Sequence, residues 1–128
     1  TASTQYAYAE MLRLSCEGVI NIVEDTNSYA ERARKMKKIF CDNGFTITYP
    51  RDVTEEIADG FFFSLSYPGM TGGELVCELI SYGVSSINLD TTGSLEHGVR
   101  ACTSRMRDEL YSVLEERMQM FHRDHPIS

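Results

Sequence analysis

The sequence lacks an apolar run long enough to cross a bilayer, so we expect no transmembrane helix. Its first residues lack a basic region followed by an apolar one, so we also expect no signal peptide. Basic residues are scarce, since 12 Lys and Arg stand against 19 Asp and Glu for a net charge of −7. That balance argues against a nucleic-acid partner, because phosphate binding needs a basic surface. These absences predict a cytoplasmic protein with neither a membrane nor a nucleic-acid partner.

Closely spaced metal ligands are also missing. The four cysteines (Cys16, Cys41, Cys77 and Cys102) form no CxxC pair. We interpret them as reduced thiols that pack as small hydrophobic residues, not as a zinc site or a disulfide framework. His122 and His125 have an i, i+3 spacing that can hold a metal, but cations at a helix end are the simpler interpretation. The sequence therefore predicts no metal site.

Recognisable catalytic motifs are absent as well. None of the serines lies in a G-x-S-x-G elbow, and the chain has no P-loop and no GxGxxG segment. The only lysines are Lys35, Lys37 and Lys38, which share one amphipathic pattern. We assign no catalytic residue to this chain.

What remains is the pattern of one ordinary globular domain, with 42% apolar and 24% charged residues in 128. Hydrophobic periodicity and turn residues predict eight main elements. These are helices over 1–24 and 26–44, strands over 45–49 and 60–67, a helix over 71–82, strands over 84–89 and around Arg100, and a helix over 105–124. This order predicts an α+β fold, a two-layer domain in which helices pack on a small, mostly antiparallel sheet.

Local signals support several of these elements. Ser28 and Glu31 resemble a capping box for the second helix, and Thr71 and Glu74 form another at the start of the third. Three consecutive aromatics in residues 60–67 predict a central strand buried on both faces. The polar connection over 51–59 contains residues 54–57, which can form one helical turn.

Arg100 is the main candidate for a binding residue. It follows the polar loop 91–98 and is flanked by Val99 and Ala101, so strand alternation places it on the face opposite both neighbours. A guanidinium fixed there can bind a carboxylate or phosphate with two parallel hydrogen bonds. The alternative is an exposed strand arginine that only keeps its charge in water. The turn over 67–73 is a second candidate, because the backbone N–H groups of Gly72 and Gly73 can hold an anion weakly.

Taken in order, these stretches resemble the C-terminal small domain of a fold-type I pyridoxal-phosphate-dependent aminotransferase of class I/II. The resemblance rests on Ser3-Thr4-Gln5-Tyr6-Ala7, Gly60-Phe61-Phe62-Phe63-Ser64-Leu65, Gly83-Val84, the loop Thr91 to Gly98 and Val99-Arg100-Ala101-Cys102. Thr-Thr-Gly-Ser replaces the common Pro-Gly-Ser, and Ala-Cys-Thr follows the arginine in place of Ile/Leu-Ser-Phe, which indicates a divergent subgroup.

The resemblance implies that Arg100 binds the α-carboxylate of an amino-acid or keto-acid substrate. Residues 1–25 would be the connecting helix from a large domain, and residues 26–128 would be the small domain. The Schiff-base lysine and the pyridoxal phosphate would belong to that large domain, in a parent enzyme that forms a homodimer. We therefore expect a fragment, consistent with a start at Thr1, that binds no cofactor and has no transaminase activity alone.

A free-standing ferredoxin-like or ACT-like module that binds or senses a small molecule is the alternative. The first helix distinguishes the two hypotheses. A self-sufficient module should bury the apolar side chains of residues 7–23, whereas a fragment should leave them exposed.

Overall fold

The computed structural model describes residues 1–57 and 60–127. It confirms the α+β fold, with a four-stranded antiparallel sheet packed on one side by helices. The helices are α1 (Ala2–Cys16), α2 (Ile22–Asp42), α3 (Gly72–Ser81) and α4 (Leu110–Asp124). The strands are β1 (Thr46–Ile47), β2 (Arg51–Asp52), β3 (Glu55–Glu56), β4 (Phe62–Ser66), β5 (Ile87–Asn88) and β6 (Val99–Cys102). In the described residues no helix is both long and apolar enough to cross a membrane.

The sheet has the strand order β1-β4-β6-β5, and each neighbouring pair is antiparallel. Because β6 lies between β4 and β5, those two strands run parallel to each other and α3 is the crossover between them. β4, which falls within the strand predicted over 60–67, lies between β1 and β6, so the prediction of a central strand is confirmed. β2 and β3 form a separate hairpin in the predicted polar connection, so the helical turn predicted over 54–57 is wrong. Residues 58 and 59 of that connection lie outside the described residues.

One face of the sheet forms the hydrophobic core. Alternation along β4 and β6 turns Phe63, Leu65, Val99 and Ala101 toward the helices, where all four are buried. We call this the helix side of the sheet. The helices contribute the matching stripes, which are Ala33, Met36 and Phe40 from α2, Leu75 and Leu79 from α3, and Leu114, Met118 and Phe121 from α4.

The two N-terminal helices differ from their predicted bounds. α1 ends at Cys16, just before Gly18 with its φ of +73°, and contains no buried residue. α2 begins at Ile22, because the side chain of Asn21 accepts a hydrogen bond from the Glu24 N–H at 3.1 Å and caps the helix there. The capping box predicted at Ser28 is therefore wrong.

Three further details of the prediction are corrected. Phe61 and Phe62 are about half exposed, so β4 is buried on one face and not on both. The apolar pattern of residues 71–82 predicts that Ile80 faces inward together with Leu75 and Leu79, but Ile80 points outward. The last helix starts at Leu110 instead of residue 105.

Candidate functional site

No described helix covers the second face of the sheet, which we call the open face. Its side chains are partly or fully exposed, in contrast to the buried helix side. They are Thr46, Phe62, Ser64, Ser66, Ile87, Arg100 and Cys102. A charged group on this face keeps contact with solvent while the strands beneath it are rigidly paired.

Arg100 lies on the open face, opposite its neighbours Val99 and Ala101, as alternation predicted. It is opposite Ser64 on β4 and opposite Ile87 on β5. Its guanidinium carbon stands 4.3 Å from the centroid of the Phe62 ring, which is a cation–π distance. The sequence prediction missed this contact of Phe62 because it treated the three consecutive aromatics, Phe61, Phe62 and Phe63, as core, although alternation alone places Phe62 opposite Phe63.

The Arg100 guanidinium is not neutralised within the described part of the chain. Its Nε atom is buried and has no hydrogen-bond partner there, and no described carboxylate forms an ion pair with it. A buried N–H donor without an acceptor is unfavourable, more so when the donor is charged. The described residues therefore leave the charge of Arg100 without an anionic partner.

The loop before Arg100 is held in place by local hydrogen bonds. Residues Leu89–Thr92 form a 3₁₀ helix that Gly93 ends in the left-handed conformation, with φ of +84°. The Ser94 hydroxyl hydrogen-bonds the Tyr49 hydroxyl and accepts from the Glu96 N–H at 3.0 Å. Tyr49 follows β1, which is the edge strand opposite β5. This contact therefore connects the loop to the opposite edge of the sheet.

The two candidate stretches of the sequence meet in the structure. A Cβ atom on Gly72 would lie 2.6 Å from the carbonyl oxygen of Gly98 and would overlap Oδ1 of Asn88. The start of α3 therefore packs directly against the end of the Arg100 loop, with no room for a side chain.

The start of α3 is nevertheless occupied by the protein's own carboxylate. Glu74 accepts a hydrogen bond from the Thr71 N–H at 2.8 Å, and the Thr71 hydroxyl accepts from the Glu74 N–H, which confirms the capping box. The bonds from Thr71, with a smaller effect of the nearby His97, lower the pKa of Glu74. Gly72 and Gly73 are accordingly a weaker anion site than Arg100.

The two C-terminal histidines lie on the helix side and not at Arg100. The Tyr67 hydroxyl donates its hydrogen to the His125 carbonyl oxygen at 2.5 Å. The hydroxyl oxygen is also 2.8 Å from His122 Nδ1, so Nδ1 carries a proton and donates it to Tyr67. Burial raises the pKa of Tyr67. The described residues contain no cluster of three or more metal-binding side chains, and we interpret both histidines as packing groups.

The cysteines are not core residues. All four are exposed free thiols, so the prediction that they pack as small hydrophobic residues is wrong. Cys102 is the one that concerns the site, because it follows Arg100 by two residues on β6 and therefore shares the open face.

No protein-family model and no curated protein matches this chain.

Proposed function

We propose that this chain is the C-terminal substrate-binding domain of a pyridoxal-phosphate-dependent aminotransferase, in which Arg100 binds the α-carboxylate of an amino-acid or keto-acid substrate. Arg100 carries the proposal. It stands on a paired strand, over the Phe62 ring, with a buried Nε that lacks an acceptor in the described chain. A fixed guanidinium of this kind orients a carboxylate through two parallel hydrogen bonds, which is what a reaction at the adjacent carbon requires.

The exposed first helix supports the same proposal. None of the 15 residues of α1 is buried, and Tyr6, Tyr8 and Leu12 are each more than half exposed. An isolated helix of this length is marginal in water, so α1 needs a partner to remain helical. A large domain of the same protein would be such a partner, and would place Arg100 beside the cofactor.

Pyridoxal phosphate itself does not fit the residues of this chain. The cofactor needs a lysine for its Schiff base, and all three lysines lie on α2. That helix packs on the helix side of the sheet, opposite Arg100. Lys35 and Lys38 contact Asp108 and Asp42, at 3.8 Å and 2.5 Å. In the proposal the lysine and the cofactor phosphate site therefore belong to sequence outside these 128 residues.

The ferredoxin-like or ACT-like module is favoured by one observation. β4, α3, β5 and β6 form the split β-α-β arrangement of such sheets, with β6 between β4 and β5. One feature counts against the module: the edge strand that pairs with β4 is β1, which comes before β4 in the chain and not after β6. A self-sufficient module would also bury α1, and α1 is exposed.

The deciding experiment uses the gene product extended upstream of Thr1. We expect a yellow protein whose visible absorption shifts with one class of amino acid. In that protein, Arg100→Gln should cost about 2–5 kcal/mol of substrate binding, the usual loss for one partner of a charged hydrogen-bonded pair. kcat/KM should then fall at least about thirtyfold while the cofactor absorption is unchanged.

Arg107→Gln is the matched control, because Arg107 is exposed and its loss changes the net charge equally. A colourless protein, or a yellow one in which both variants behave alike toward amino acids, would contradict the proposal.

A further inference from the structure

A cavity of about 190 Å³ lies on the helix side of the sheet, beside the segment that joins α3 to β5. Its walls are largely apolar and include Met36, Leu65, Leu79, Val99 and Leu114. Leu110 and Val113 of α4 also line it and are each more than one third exposed, so they mark its opening. An apolar cavity of about 150 Å³ holds benzene, so this one has room for a ring with a small substituent.

One polar atom in the wall has no partner. The Oγ atom of Ser86 is buried and makes no hydrogen bond within the described residues. Because buried hydroxyl groups are almost always hydrogen-bonded, this one is the natural contact for a polar atom of a bound molecule. Ser85, the preceding residue, also lines the cavity but is exposed.

One cation also lines the cavity. Arg117 of α4 donates a hydrogen bond from Nη1 to the Gly83 carbonyl oxygen at 2.8 Å, which fixes the guanidinium against the segment before β5. A Cβ atom on Gly83 would meet Nη1 at 2.9 Å, so the contact is close. No described carboxylate pairs with Arg117, and most of its five N–H donors remain available.

We propose that this cavity binds a compact apolar acid, with a six-membered ring or a branched chain of similar size and one carboxylate. The hydrocarbon part would fill the apolar walls, and the carboxylate would accept hydrogen bonds from Ser86 and Arg117. The site is separate from Arg100, because the two lie on opposite sides of the sheet. It would give the domain a second acid-binding site, on the side away from the proposed substrate.

Benzoate is a suitable probe, and its binding can be followed by NMR titration of the 128-residue chain. Methyl resonances of Leu79, Val84 and Val113 should shift and saturate at millimolar benzoate. Acetate lacks the ring and toluene lacks the carboxylate, so each should bind at least about tenfold more weakly. Arg100→Gln should leave these shifts unchanged, which separates them from binding at the open face.

Variants of the wall test the assigned contacts. Arg117→Gln should weaken benzoate binding about tenfold, and Ser86→Ala should weaken it about threefold. Ser85→Ala is the matched control and should bind like the parent chain. Val113→Phe should block the opening, with its fold verified by unchanged resonances of β4 and β6.

Two results would overturn the proposal. One is the absence of saturable shifts at the cavity methyls below about 10 mM benzoate. The other is binding of toluene as tight as benzoate together with no effect of Arg117→Gln, which would make the site a plain hydrophobic cavity.

Discussion

The neighbour of the Arg100 guanidinium on the open face is an aromatic ring and not a carboxylate. A guanidinium paired with a glutamate would be neutralised, whereas one over the Phe62 ring keeps its full positive charge. The ring also shields one side of the group from water, which strengthens any ion pair formed there. The exposed Cys102 is placed two residues further along β6 and provides a chemical reporter of this charge.

We expect iodoacetate to alkylate Cys102 faster, relative to iodoacetamide, than it alkylates the other three cysteines. In both reactions the thiolate displaces iodide, but only iodoacetate carries a carboxylate that Arg100 can attract. The two residues are about 7 Å apart along the strand. Unit charges at that distance interact by ~0.6 kcal/mol in water of low ionic strength, so the relative rate should rise about threefold in a low-salt buffer. Peptide mapping by mass spectrometry measures all four sites at once.

Cys16, Cys41 and Cys77 are internal controls, since each is exposed. Arg100→Gln should reduce the preference at Cys102 to the level of these three, and Arg107→Gln should preserve it. Equal preference at all four cysteines in the parent chain would show that Arg100 does not attract carboxylates.

For single residues, the sequence predicted only which face of a strand a side chain lies on, through strand alternation. Alternation placed Arg100 on the face opposite Val99 and Ala101, and the structure confirms that placement. It did not reveal the Phe62 contact, because a pair on neighbouring strands depends on their register. The exposure of the cysteines was missed because small apolar residues are common both in hydrophobic cores and at the edges of cores.

At the scale of elements, α3 is joined to the site by its first turn. Gly72 is buried against Asn88 and the Gly98 carbonyl, whereas Gly73 is exposed, and a Cβ atom added to it would have no neighbour nearer than 3.9 Å. Asn88 cannot easily move away, because its Oδ1 accepts from the Asp90 N–H and caps the 3₁₀ helix. The close approach of helix and loop therefore depends on glycine at one position only.

Gly72→Ala should destabilise the protein by about 2–3 kcal/mol, the usual cost of forcing atoms into a packed site. Gly73→Ala should be neutral or stabilising by up to about 1 kcal/mol, because alanine is the better helix former. Urea unfolding followed by circular dichroism measures both. Equal stability of the two variants would show that the contact between α3 and the Arg100 loop is not tight.

Helix starts were predictable where the capping signal is unambiguous. Thr71 and Glu74 precede an apolar run with glycines on the N-terminal side of it, and the structure has the full capping box. Ser28 and Glu31 carry the same pattern, but the residues before them are compatible with helix. Asn21 therefore caps α2 earlier and the helix continues through Ser28. A local motif indicates where a helix can begin and not where it does.

At the scale of the whole molecule, the described residues form one core and leave two surfaces uncovered. The helices close one side of the sheet, whereas the open face and α1 remain exposed. The fold class was predictable, and so was the order of α2, α3, α4 and the four strands of the main sheet, because the helices and the central strands bury regular apolar stripes in the core. The place of α1 was not predictable, because none of its apolar residues is buried in the core.

Deletion of residues 1–20 should leave the body of the protein intact. The remaining chain keeps Asn21 as the cap of α2, and α1 contributes no buried residue. We expect the free energy of unfolding to change by less than about 0.5 kcal/mol, as for other changes that touch no packed group.

The full chain should self-associate as its concentration rises, because apolar residues such as Tyr6 and Leu12 are exposed, and the deletion variant should remain monomeric. Denaturant unfolding and sedimentation velocity measure the two quantities on the same samples. Loss of stability in the variant would mean that α1 packs on the body, and would favour the self-sufficient module over the enzyme domain.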